Sequence, residues 1–225
     1  MKKISILLSE DHAIVRQGLC KLLETAGNFA VVGQAQTGRE AIQLAAELRP
    51  DVILMDIAMP ELNGLEAARQ ILNVNSAAKI IMLSAHSDDG YVERARAVGA
   101  VGFLEKQTSA EILTQAIDEV ARGKTFYSPI IAKRLADGKR RAVDRDGQVK
   151  ANATRLTSRE TEVLQLVAEG QANKQVAGTL GISIKTVEKH RQHLMDKLNI
   201  HDTAGLTRHA IATGVIESRV QLTIL

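Results

Sequence analysis

Glu10, Asp11, Asp56 and Lys106 stand far apart in the chain, yet each follows a short apolar run: Ile4 to Leu8, Val52 to Met55, and Gly102 to Leu104. If those runs are parallel strands of one sheet, three carboxylates and an ammonium gather at its carboxyl edge. Open α/β sheets bind ligands at that edge, where the strand order reverses. Three packed carboxylates repel one another and need a cation; a hard ion with oxygen ligands, such as Mg²⁺, fits best. A carboxylate held there can also attack phosphorus to give an acyl phosphate. Taken singly the residues have plainer uses. Glu10 and Asp11 would cap a helix, Asp56 would be a turn residue ahead of Pro60, and Lys106 a solvated surface lysine. The joint placement argues for a site.

The elements that must hold these groups are legible as alternating patterns. Strands are predicted at 3–8, 30–35, 51–56, 79–84 and 102–106, and helices at 12–26, 39–48, 64–73, 88–98 and 109–122. Gly27, Gly99 and Gly123 punctuate three helix ends, and Thr108 with Glu111 reads as a capping box for the fifth helix. Five βα units imply an α/β domain, a doubly wound five-stranded parallel sheet covered by helices on both faces. Ser128-Pro129 would start a short helix through Leu135. From Asp137 to Thr154 apolar periodicity is lost, and glycine, arginine, lysine and aspartate read as an exposed linker. Its basic residues would be solvated, or would weakly steer DNA.

From Leu156 onward every pattern is helical, a small all-α domain. Thr157 and Glu160 form a capping box, Asn173 would cap a short second helix ended by Gly181, and Ser183 a third over 184–198. A fourth runs over 203–213. Two helices joined by a tight glycine turn, the second the longer, make a helix-turn-helix. With Val187, Leu194 and Leu198 inward, Lys185, Glu188, Lys189, Gln192 and Asp196 face outward, and His190 lies beside the inward stripe, a core histidine in preference to a phosphate contact. A protein-binding helical module would explain those charges but not the tight turn. The domains expected are 1–127, a linker at 128–154, and 155–225.

Bulk composition narrows the classes. The chain of 225 residues is 45% apolar and 24% charged, which is the balance of a folded protein, and its net charge of +3 proves nothing about partners. The single cysteine, Cys20, excludes an internal disulfide and suits a reducing cytosol, as a small core residue among Leu19, Leu22 and Leu23. The run behind Met1-Lys2-Lys3 is too short for a signal peptide, and no stretch nears the roughly 18 apolar residues of a membrane span. A cytoplasmic protein with no membrane partner is expected. Aromatics at 2% argue against single-strand binding by base stacking.

LLSED at 7–11, LMDIAMPELNG at 54–64, MLSAH at 82–86 and GFLEK at 102–106 resemble the motifs of a bacterial two-component receiver domain. The stretch 156–200 resembles the LuxR-type helix-turn-helix, and the pair together is similar to the NarL/FixJ family of response regulators. That resemblance implies a flavodoxin-like receiver phosphorylated on Asp56 by a sensor histidine kinase. It implies Mg²⁺ held by Glu10, Asp11, Asp56 and the backbone carbonyl of Ala58, with Lys106 and the Ser84 hydroxyl meeting phosphoryl oxygens. Phe103, three residues before the lysine, would be the switch aromatic. Many receivers carry proline after that lysine, where this chain has Gln107. Glu188, Lys189 and Gln192 would read base edges in double-stranded DNA, and Lys174, Ser183, Lys185, Thr186 and Arg191 would meet phosphates. A homodimer formed on phosphorylation, with RNA polymerase as a further partner, completes the implied picture of a transcription regulator that turns over no substrate.

Two rival uses of the fold fit less well. A haloacid-dehalogenase-like phosphatase wants a second Asp two residues after the nucleophile, where Ala58 stands. A flavodoxin-like FMN carrier wants a Ser/Thr-rich phosphate loop, and Ser9-Glu10-Asp11-His12 would repel one.

Overall fold

The apolar runs alternate with period two, and that alternation splits the core into two layers. The computed structural model describes residues 2–85, 89–128, 131 and 156–216. The chain divides into two compact units, Met1–Val149 and Lys150–Leu225. In the first, β1 (Ile4–Ser9), β2 (Phe29–Ala35), β3 (Val52–Asp56), β4 (Ile80–Ser84), β5 (Gly102–Glu105) and β6 (Phe126–Tyr127) form one sheet in the order β2-β1-β3-β4-β5-β6. All its pairings are parallel. Between them run α1 (Ala13–Thr25), α2 (Gly38–Leu48), α3 (Gly64–Val74), α4 (Asp89–Ala97) and α5 (Ala110–Ala121). Leu7, Ile53, Met55, Met82 and Phe103 pack on one face with α2, α3 and α4. Ile6, Leu8, Leu54, Leu83 and Leu104 pack on the other with α1 and α5. Cys20 is half-buried at the margin of that second layer.

The order reverses between β1 and β3, so the switch-point crevice opens at the carboxyl ends of those strands. The five expected strands form, and a sixth joins them. Phe126 N–H donates to Val101 O at 2.9 Å, tying a two-residue edge strand beside β5. The expected capping box at Thr108 is also corrected. Ser109 is the N-cap of α5, its Oγ accepting from the Ile112 N–H at 3.4 Å, because the helix starts one residue later than read. The short helix over 128–135, the linker at 137–154 and His86 fall outside the described residues except for Ser128 and Ile131.

The described residues of the second unit form four helices, α6 (Ser158–Ala168), α7 (Asn173–Leu180), α8 (Ile184–Leu198) and α9 (Thr203–Ala212). Val163, Leu166, Val176, Leu180, Val187, Leu194 and Leu206 make its core. The capping box at Thr157 is present: Thr157 Oγ1 accepts from Glu160 N–H, and Glu160 Oε2 accepts from Thr157 N–H at 2.8 Å. Lys197 on α8 donates to the same Glu160 oxygen at 2.7 Å, so one buried carboxylate joins two helices. Gly181, at φ +63°, ends α7, and Ser183 caps α8 as expected. Asn173 does not cap α7. Ala172 holds that position, Gln175 Oε1 accepts its N–H at 2.8 Å, and the Asn173 amide serves another partner described below. Among the described residues no helix is long and apolar enough to cross a membrane.

Candidate functional site

The acidic pocket is assembled by four strand ends. Glu10 and Asp11 follow β1, Asp56 closes β3, Ser84 closes β4, and Lys106 follows β5. Backbone hydrogen bonds lock these ends side by side: Ile57 N–H donates to Leu83 O at 3.0 Å, and Lys106 N–H donates to Ser84 O at 2.8 Å. Glu10 and Ser84 are wholly buried and Asp56 is 1% exposed. The Lys106 ammonium sits 2.9 Å from Asp56 Oδ2 and 2.8 Å from Glu10 Oε2. Those two carboxylate oxygens meet it as ion pairs rather than as aligned hydrogen bonds. The convergence expected from the sequence therefore exists.

The start of α3 lies against the end of β3, Gly64 N–H donating to Ile57 O at 2.9 Å, and glycine makes that approach possible. A Cβ on Gly64 would lie 1.9 Å from Asp56 O, and one on Gly38 would lie 2.3 Å from Leu62 O. Asn63 caps α3 by accepting from Glu66 N–H, fixing where the loop after Asp56 ends. In that loop the Ala58 N–H donates to Asp56 Oδ1 at 3.3 Å, which brings the Ala58 backbone beside the carboxylate. Phe103 is fully buried in the layer against α4, packed with Met82 and Tyr91 among others.

Burial dominates the electrostatics. It pushes the Asp56 carboxyl up to about 6, against the pull of Lys106 and with the push of Glu10. Burial alone would lower Lys106, but the Asp56 and Glu10 charges hold its ammonium above the usual lysine value. Three carboxylates and one ammonium leave a formal charge of −2, the charge one dication cancels. Two buried carboxylate oxygens of that set, Glu10 Oε2 and Asp56 Oδ2, meet no aligned donor, and an oxygen donor set of this kind fits such an ion.

Two residues that the sequence reading passed over belong to this pocket. His12 Nδ1 lies 2.8 Å from Asp11 Oδ1 and 3.1 Å from Glu10 Oε1. Arg16, one turn into α1, donates from one guanidinium nitrogen to Glu10 O at 2.8 Å and Asp11 O at 3.3 Å. It fixes the backbone that carries both acids. The only signal in sequence was position: the residue after the acidic pair, and a cation one helical turn further on.

In the second unit Glu188, Lys189 and Gln192 are exposed on α8, with Lys185 and Asp196 beside them. Gln192 Nε2 donates to Asp196 Oδ1 at 2.8 Å along the same stripe. Val187 and Leu194 are fully buried and Leu198 half-buried, so the helix presents the face that its periodicity predicts. Lys174, Ser183 and Lys185 are exposed and Thr186 half-buried, around the N-terminal ends of α7 and α8. Arg191 is engaged within the unit. Its guanidinium donates to Asn173 Oδ1 at 2.7 Å and to Thr203 Oγ1 at 3.2 Å, binding α8 to the starts of α7 and α9. His190 is half-buried rather than a core residue.

Comparison with known proteins follows both halves of this geometry. Residues 6–118 match the response regulator receiver domain, and residues 154–210 match the bacterial regulatory proteins of the luxR family. The chain is 34% identical to the transcriptional regulatory protein DegU of Brevibacillus brevis, covering 96% of this chain and 97% of that one. It is 36% identical to the transcriptional regulatory protein MctR of Rhizobium johnstonii, over 95% and 96% of the two chains. A LuxR-family two-component response regulator from Aurantimonas sp. superposes with TM-score 0.59 at 34% identity, over 61% of this chain and 99% of that one. The RcsB response regulator of Salmonella typhimurium superposes with TM-score 0.57 at 26% identity, over 94% and 100%. DegU, MctR and RcsB each align over 94% or more of this chain, and so over both units. The chain therefore belongs to the NarL/FixJ response regulators, the transcriptional regulators that join a receiver domain to a LuxR-type DNA-binding domain.

Proposed function

We propose that Asp56 is the phospho-acceptor of this regulator and that a sensor histidine kinase is its donor. One Asp56 oxygen forms the new O–P bond as the donor's P–N bond breaks, leaving an acyl phosphate. Glu10, Asp11, Asp56 and the Ala58 carbonyl hold Mg²⁺, which when bound neutralises the pocket and offsets charge on the phosphoryl oxygens. The Ser84 hydroxyl, at the end of β4, and Lys106, just after β5, receive two of those oxygens. The observation that carries this reading is the Lys106 ammonium held within 2.9 Å of buried Asp56. The phosphate then favours pairing of two copies, which places two α8 helices on half-sites about 10 base pairs apart.

On the DNA, Glu188, Lys189 and Gln192 read base edges: lysine suits guanine, glutamine adenine, and a carboxylate accepts from cytosine. Lys174, Ser183, Lys185 and Thr186 meet phosphates and set register, as do donors of Arg191 left over from its clamp. RNA polymerase is the downstream partner, the cytoplasm the location, and the functional domains are 1–127 and 155–225 about a linker at 128–154. The protein turns over no substrate beyond its own phosphoryl group. Acetyl phosphate with Mg²⁺ should label the wild-type chain and leave Asp56→Asn unlabelled; undiminished labelling of the variant refutes the assignment.

A further inference from the structure

His12 is the member of the pocket for which the reading above has no use. Its side chain is 58% exposed, so it is not a core residue, and it gives α1 no side-chain cap. Yet its Nδ1 lies between carboxylate oxygens of the two acids that follow β1, 2.8 Å from Asp11 and 3.1 Å from Glu10. One donor atom each from Glu10, Asp11, His12 and Asp56 falls within 4.8 Å of all the others. Adjacent ligands around an octahedral dication at about 2.1 Å are separated by about 3.0 Å, and opposite ones by about 4.2 Å. The imidazole nitrogen stands off its two carboxylate neighbours by about the edge of a coordination octahedron, a spacing that without the ion serves as hydrogen-bond contact.

We propose that His12 is a fourth side-chain ligand of the pocket's cation, through Nδ1. This rests on the cation-pocket reading and deepens it. The neutral imidazole offers Nδ1 as a lone-pair donor, and the mixed nitrogen and oxygen set shifts preference from Mg²⁺, which favours oxygen, toward first-row transition dications. The ion the site selects would then depend on availability as well as on charge. Nothing about the strand ends requires this: an all-oxygen site needs Glu10, Asp11, Asp56 and a carbonyl and leaves the imidazole idle.

The test uses Co²⁺ and Mg²⁺ titrated into the full-length chain, followed by calorimetry, by Co²⁺ visible absorption and by the paramagnetically shifted imidazole proton signals. His12→Ala should weaken Co²⁺ at least roughly tenfold, the scale at which even outer-shell partners of a metal act. Mg²⁺ should change less than about twofold, since an oxygen-loving ion loses little with the nitrogen. The shifted imidazole signal should vanish in His12→Ala and also in His12→Gln, which keeps a polar side chain without the ring nitrogen. Equal changes for both ions, in either direction, would overturn the proposal, leaving His12 a competitor for the carboxylates or a positioning group. Wild-type chain that binds neither ion, with Asp56→Asn indistinguishable from it, would instead sink the cation pocket itself. Thermal melts of each variant in EDTA exclude unfolding as the cause.

Discussion

Replacing Asp56 by asparagine should stabilise the protein when no divalent ion is supplied. The Asp56 carboxyl is raised from 3.8 to about 6 while 1% exposed, so its charged form is penalised in the folded chain. A rise of about two units at 1.36 kcal/mol each is about 3 kcal/mol, already net of the Lys106 attraction. Below 3.8 the acid is protonated in folded and unfolded chains alike, and the penalty is absent. Between 3.8 and about 6 the unfolded chain has shed its proton while the folded one keeps it, so stability falls as pH rises. Above that window the full cost applies. Melts in EDTA at neutral pH should therefore place Asp56→Asn higher than wild type, by on the order of 10 °C for a domain of this size. The gap should close as pH falls toward 4. Saturating Mg²⁺ should narrow or invert it, because an ion at 100 times its Kd adds about 2.7 kcal/mol to the chain that binds it. A variant no more stable than wild type at neutral pH in EDTA, with no pH dependence in the difference, would refute the idea that burial strains this carboxylate.

Gly64→Ala should be among the most damaging single-methyl additions, since its Cβ would overlap Asp56 O at 1.9 Å and must push α3 off the end of β3. Overpacking of that kind costs about 1–3 kcal/mol or more, and Asp56 labelling should fall with the loss of Tm; a silent variant would mean the α3 junction tolerates movement. For Lys189→Ala, binding to a selected operator should weaken by about 1–3 kcal/mol while binding to random duplex holds, measured by competition at two salt concentrations. A uniform loss with a shallower salt slope would make Lys189 a phosphate contact instead.

The pocket is legible in the sequence because each acid stands at the end of an apolar run of strand length, and parallel strands put such ends together. Glu10, Asp11, Asp56 and Lys106 needed no more than that. His12 and Arg16 escaped because their roles depend on a turn: Arg16 bonds two main-chain carbonyls, and no pattern of residue types announces that. Strand β6 is two residues long, too short for alternation to exist. The caps of α5 and α7 were each misplaced by one residue, at Thr108-Ser109 and Ala172-Asn173. In the first, two hydroxyl residues competed for one position. In the second, the cap-competent amide was taken by Arg191 from 18 residues away. Buried Glu160, Glu162 and Gln165 on α6 look like surface residues in sequence, and the partners of Glu160 and Glu162, Lys197 and Arg159, come from α8 and from one turn away.

The strain at Asp56 and the mechanism of signalling meet in one comparison of energies. On the proposed phosphorylation of Asp56, two charge-assisted bonds from the phosphoryl group to Ser84 and Lys106 would be worth about 3–6 kcal/mol together. Inverting a 1:99 equilibrium needs about 5.5 kcal/mol, so those bonds suffice only if the resting state is favoured by no more than a few kcal/mol. Lys106 already holds two carboxylates at 2.8 and 2.9 Å, so a bond to phosphate would replace existing contacts rather than add to nothing. The net gain from the lysine is smaller than its gross strength, and more of the shift must come from Ser84 and from the cation. Phe103 cannot supply the rest by hydrogen bonding, having no hydroxyl; being fully buried, it reports only by repacking against Met82 and Tyr91. A rotation that left its space unfilled would cost about 3–5 kcal/mol, as large as the whole phosphate gain. Any movement of Phe103 must therefore be matched by neighbours filling its place, which couples β5 to α4 as one packing unit.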